Sequence, residues 1–165
     1  MSDITELILD DHETFRRRFF ALYTASDDGT LLGLWQPLAE LLEVHAVGEE
    51  EIFYPNLLHH GADAKAETKD AIKDHNKIRD AIRAAEACTV GAKDWWAAVG
   101  RARDENDEHM TEEEREGLPD FRRNSSDALR AELGARFVQF KADHRGARGI
   151  DRTDKNPRRY IAEHT

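Results

Sequence analysis

Along most of this chain apolar residues recur at steps of three and four, the period of helices buried on one face. From about Asp3 to Tyr23, the residues Ile4, Ile8, His12, Phe15, Phe19 and Leu22 share a stripe. Ser26-Asp27-Asp28-Gly29 ends it with turn chemistry. A second helix is expected from about Leu31 or Pro37 to Leu58, with Pro37 either starting or kinking it. Its stripe is Leu38, Leu41, His45, Glu49 and Ile52, and Gly61 closes it. A third helix, about Lys65 to Ala87, carries Ile72, His75, Ile78 and Ile82. The fourth, about Ala92 to Glu116, carries Trp95, Val99, Ala102, Asn106, His109 and Glu113 before Gly117 and Pro119 stop it.

Beyond Pro119 a fifth helix is expected from about Ser126 to His144, with Leu129, Leu133, Phe137 and Phe140 on one face. That face covers the bundle or contacts a second copy, and intramolecular packing is the simpler use of it. From Arg145 to Thr165 there are six arginines and lysines against three acids, with Gly146, Gly149 and Pro157. This stretch reads as an irregular tail laid on an acidic body. The fold class is therefore all-α: an up-down four-helix bundle over 1–120, followed by a C-terminal helix and irregular tail over 121–165.

Polar residues sit on the wrong side of these helices. His12, His45, His75, His109, Glu49 and Glu113 all lie on the apolar stripes rather than the solvated faces. They also form a repeat. His12 precedes His45 by 33 residues and His75 precedes His109 by 34. Each second histidine is followed by a glutamate four residues later and a proline ten residues later, Glu49 and Pro55 in one half, Glu113 and Pro119 in the other. An i, i+4 step stacks histidine and carboxylate on one face. His12 is roughly ten to twelve residues from its helix end, ~17 Å at 1.5 Å per residue, and the antiparallel neighbour returns His45 to a similar depth. Burying such carboxylates costs several kcal/mol unless a charge compensates. A pair of metal ions supplies that charge, and imidazole with carboxylate suits iron, manganese or zinc.

The other candidates are blander. Glu50, Glu51, Glu112, Glu114 and Glu116 read as solvated helix surface, with Glu114 the alternative to Glu113 as a ligand. His59, His60, His144 and His164 have no matched partner and read as surface residues. The single cysteine, Cys88, excludes an intramolecular disulfide, fits a reducing cytoplasm and reads as half-buried. A net charge of -10 argues against nucleic-acid binding, and no apolar run approaches the ~20 residues that span a bilayer. Met1-Ser2-Asp3-Ile4 does not begin a signal peptide.

His12, His45-x-x-x-Glu49, His75 and His109-x-x-x-Glu113 resemble the hemerythrin-like HHE cation-binding domain, over about residues 3 to 120. The run E-E-E-I-F-Y-P after His45 is typical of its bacterial members. The resemblance implies a carboxylate-bridged, non-haem di-iron centre, with the four histidines as terminal and Glu49 and Glu113 as bridging ligands. It also implies reversible binding or sensing of dioxygen, peroxide, nitric oxide, iron or redox state. The alternatives are a small peroxidase, catalase-like or oxidase enzyme, and metal storage or buffering. Oxygen carriers of the family have a further histidine one turn after the third-helix ligand, where this chain has Arg79. They have a bridging aspartate where it has Glu114. Arg79 reads either as a surface arginine snorkelling past the core edge or as a cation near the site that favours anions. These departures favour oxidation, peroxide turnover or sensing over simple oxygen carriage. The C-terminal region is the candidate contact for a second copy or a protein partner.

Overall fold

A computed structural model describes residues 3–165. Four long helical stretches form the bundle: α1 (Ile4–Tyr23), α2 (Leu31–Gly48) continuing into α3 (Tyr54–His60), α4 (Ala64–Glu86) and α5 (Lys93–Arg115). Asp3 caps α1, its side chain accepting from the Thr5 N–H at 2.8 Å. The helix expected from Leu31 or Pro37 begins at Leu31, with Pro37 inside its second turn. Among the described residues there is no strand, and no helix is long and apolar enough to cross a membrane.

Between α2 and α3 the helix does not break; it loosens. Glu49–Phe53 form a π turn, with the Tyr54 N–H bonded to the Glu49 carbonyl five residues back. Such turns are rare and concentrate where side chains must be re-aimed.

The apolar core divides into two layers. One holds Phe15, Phe19, Trp35, Leu38, Ile78, Ile82, Trp95 and Val99. The other holds Ile4, Ile8, Val47, Phe53, Ile72, Phe121 and Phe137. His12 lies between Ile8 and Phe15 on α1, and His75 between Ile72 and Ile78 on α4, so the polar residues form a stratum between two dry layers.

The chain beyond α5 is more ordered than the glycines and charges suggest. Gly117 and Pro119 end α5 but also open a short helix, α6 (Gly117–Asn124). The expected fifth helix is α7 (Asp127–Asp143), whose Leu133, Phe137 and Phe140 pack on α1 and α2. Phe137 comes so close to α2 that a Cβ at Gly48 would meet its ring at 2.8 Å. The tail is not irregular throughout, contrary to its sequence pattern: Pro157–His164 form α8. Asn156 caps it and Pro157 opens it, a start signal that the surrounding arginines obscured. Tyr160 of α8 is buried.

Candidate metal centre

The helix phases bring all six stripe residues together. His12, His45, Glu49 and Glu113 each offer an atom within 4.8 Å of the others, and Glu49, His75 and His109 do the same. Glu49 belongs to both groups. Its Oε1 lies 2.8 Å from His45 Nε2, and its Oε2 lies 3.2 Å from His75 Nε2 and 3.8 Å from His109 Nε2. Glu113 Oε2 lies 3.2 Å from His12 Nε2 and 3.9 Å from His109 Nε2. All six residues are buried. His12 Nε2, His45 Nε2, both oxygens of Glu49 and Glu113 Oε2 have no hydrogen-bond partner. Five converging donor atoms without a hydrogen bond, in a dry core, are what a cation would satisfy.

Three of the four imidazoles are held from behind by carboxylates. His12 Nδ1 bonds Glu114 at 2.9 Å, and Arg16 secures the same oxygen at 2.8 Å. His45 Nδ1 bonds Asp11 at 2.9 Å, with Lys141 on the other Asp11 oxygen. His75 Nδ1 bonds Glu50 at 2.9 Å. Such partners fix the tautomer and aim Nε2 at the centre. His109 has no comparable partner among the described residues; its recorded contact is His75 Nε2 at 3.2 Å. Glu113 is held as well, because the Tyr54 hydroxyl donates to its Oε1 at 2.5 Å.

Glu113 and Glu114 are placed differently around His12. Glu113 faces the donor group, whereas Glu114 stands behind His12 and is half-exposed. Two other expectations are corrected. Glu50 is not solvated surface but 1% exposed, because the π turn carries it inward beside Glu49. Of the two readings of Arg79, the surface arginine fails and the cation near the site stands: it is also 1% exposed, and its guanidinium meets Glu50 at 2.6 Å. A stripe arginine four residues after His75 was itself a signal for a buried anion nearby. Of the acids called surface, Glu51 is exposed and Glu112, Glu114 and Glu116 are not buried. His59 and His60 are exposed, His144 and His164 half-buried, and none joins the cluster. Cys88 is half-buried. Asp11 and Tyr54 went unnoticed, since neither spacing nor composition marks them.

A family model, the hemerythrin HHE cation binding domain, matches residues 3–121. The chain belongs to the hemerythrin HHE family. No curated protein and no solved structure matches it significantly.

In this hemerythrin-family protein the tail completes the support behind His75. Lys155 Nζ reaches Glu50 at 2.7 Å, and the Tyr160 hydroxyl donates to the Glu50 carbonyl. Asn76 clamps the Lys155 backbone, donating to its carbonyl at 2.8 Å and accepting from its N–H at 3.0 Å. Arg83 holds the Arg152 carbonyl at 2.5 Å, and Arg152 bonds Glu43 at 2.9 Å. Residues 152–160 are thus strapped across α4.

Electrostatics follow the same wiring. Burial raises the Glu50 carboxyl, but His75, Arg79 and Lys155 outweigh it and hold it down at about 2. Glu114 also falls to about 2, through the His12 hydrogen bond and Arg16. Burial disfavours a charged His45, yet Glu49 and Asp11 outweigh burial and push it up to about 10. Burial, then the neighbouring Glu113 and Glu49, keeps the Tyr54 hydroxyl protonated as a donor. A cation among these carboxylates would take the place of protons on the imidazoles.

Proposed function

We propose that this protein holds a pair of iron ions and uses them to bind and sense a small oxidising or diatomic ligand. His12, His45, Glu49 and Glu113 would hold one ion, and His75, His109 and Glu49 the other. The observation that carries this reading is the convergence of five buried, unpartnered donor atoms on two groups that share Glu49. Histidine and carboxylate donors without thiolate suit iron, and admit manganese or zinc. When bound, an iron pair supplies electrons and open coordination positions for dioxygen, peroxide or nitric oxide.

The chain's own residues do the rest. Asp11, Glu50 and Glu114 keep Nδ1 of their histidines occupied, so that Nε2 faces inward as the lone-pair donor. Tyr54 holds Glu113 in one rotamer and keeps its proton on the phenol. Phe15 and Phe137 pack edge-on against His45 at 5.0 and 6.0 Å and keep water from that side. The Arg79–Glu50 pair fills the place where oxygen carriers of the family have a further imidazole. With fewer imidazoles, ligand exchange and redox sensing fit better than reversible oxygen carriage.

Protein purified without air and then exposed to it provides the test. About two irons per chain, with near-ultraviolet absorption growing on oxidation, is the expected result. One zinc, or no iron uptake and no spectral change, would sink the reading. Sustained oxygen release from peroxide in an oxygen electrode would replace sensing with catalase-like turnover.

A further inference from the structure

The two donor groups are not equivalent, and the difference faces one side of the molecule. A cleft of about 370 Å³ has Tyr54, His109 and Glu113 among its lining residues. It therefore reaches one candidate ligand of each group, Glu113 of the first and His109 of the second. Asp63, Glu67, Asp70, Glu112 and Glu116 also line it, against two cations, Arg115 and Arg123. Glu113 is nine-tenths buried, and its Oε2 has no hydrogen-bond partner.

Among the described residues His109 is also the imidazole without a carboxylate behind it, whereas His12 and His45, both in the first group, are each braced at Nδ1. That group offers four donors within mutual reach; the group containing His109 offers three. An unbraced imidazole can turn away from its ion without breaking a second hydrogen bond. A braced one cannot.

Taking the two-ion reading as its basis, we infer that the positions exchange unequally. The ion held by Glu49, His75 and His109 enters and leaves through the acidic cleft, with His109 as the ligand that swings aside. The ion held by His12, His45, Glu49 and Glu113 is retained, because both of its imidazoles are braced even though Glu113 also lines the cleft. The cleft acids concentrate divalent cations at the mouth and repel anions, so loading is salt-sensitive and anionic ligands reach the centre more slowly than neutral ones.

Cobalt(II) is a suitable probe, because its visible absorption reports coordination without redox chemistry. Ion-free protein is mixed with excess Co²⁺ in a stopped-flow instrument, and the loaded protein is then mixed with excess EDTA. Two uptake phases and two release phases are expected, each accounting for one ion per chain. In the Glu112→Gln/Glu116→Gln double variant the fast uptake phase should slow at least about threefold and lose most of its salt dependence, with slow release unchanged. His109→Gln should abolish the fast-released ion and keep the slow one. Release of both ions at one rate, an unaltered fast phase in the double variant, or loss of the slow ion in His109→Gln would overturn the inference. Saturation at one ion per chain would instead overturn the two-ion reading, and this inference with it.

Discussion

The two halves of the sequence repeat place a glutamate at the same step from a histidine, yet the two glutamates are used differently. At Glu49 the helix opens into a π turn, and both carboxylate oxygens are directed, unpartnered, at donor groups on either side. At Glu113 α5 is regular α-helix, one oxygen is tied to Tyr54, and the other alone faces the centre. The second layer differs too. The first half braces both of its histidines, and the second braces His75 with Glu50 but leaves His109 unsupported. A duplicated motif reports which donors are present. Their division of labour comes from local helix geometry and from residues outside the motif.

The largest test of this asymmetry is to exchange the two carboxylates for amides. If the chain holds two ions as proposed, Glu49→Gln weakens both groups and metal content should fall to near zero, while Glu113→Gln should keep about one. Elemental analysis decides, and equal losses would restore the symmetry of the repeat.

Next comes the contrast between Glu50 and Glu114, two carboxylates behind two histidines. Glu50→Gln leaves the Arg79 charge buried and poorly paired, and should cost about 3–5 kcal/mol in urea unfolding. Glu114→Gln removes a half-exposed group and should cost about 1 kcal/mol or less. A Glu50→Gln/Arg79→Met double variant should recover most of the larger loss, because it removes the stranded charge. Smaller than the Glu50 effect, Asp11→Asn should weaken metal affinity by roughly 10–100-fold without unfolding the protein, as removing an orienting partner does. Competition with a chelator of known affinity measures it, and an unchanged affinity would mean that packing alone holds His45.

The smallest effect lies at the cleft. Burial, reinforced by Asp120 and Asp63, pushes the Glu67 carboxyl up from 4.5 to about 7. Between those values the folded chain binds more protons than the unfolded one, so stability falls as pH rises from 4.5 to 7 and is level above. Glu67→Gln should remove that slope and stabilise the protein above pH 7 by on the order of 1 kcal/mol, allowing for solvent screening. Urea midpoints at pH 5 and pH 8 test it; a mutant that keeps the wild-type slope would exonerate Glu67.

Much of this was legible because it is periodic. Buried helices show their apolar faces every three to four residues, and histidines on those faces mark themselves by being out of place. The six donors at the centre were all visible in that way. What escaped depends on contacts between distant segments. Glu50 looked like one more acid in a run of three, because a regular helix would turn it away from Glu49. Arg79 looked like a snorkelling cation because its anion lies on another helix. The strap escaped because lysines, arginines and glycines describe a solvated tail as readily as one clamped by Asn76 and Arg83.

The π turn has a consequence for inheritance. It holds one residue more than regular winding needs, so the helix on its far side is rotated relative to the near side. His45 and Glu49 face the centre in one phase, and Tyr54 and Leu57 meet their neighbours in another. Deleting the exposed Glu51 would restore uniform winding and swing Tyr54 off Glu113 while leaving every motif residue in place. The brace on that carboxylate thus hangs on a single codon, one that no comparison of ligand motifs would notice missing.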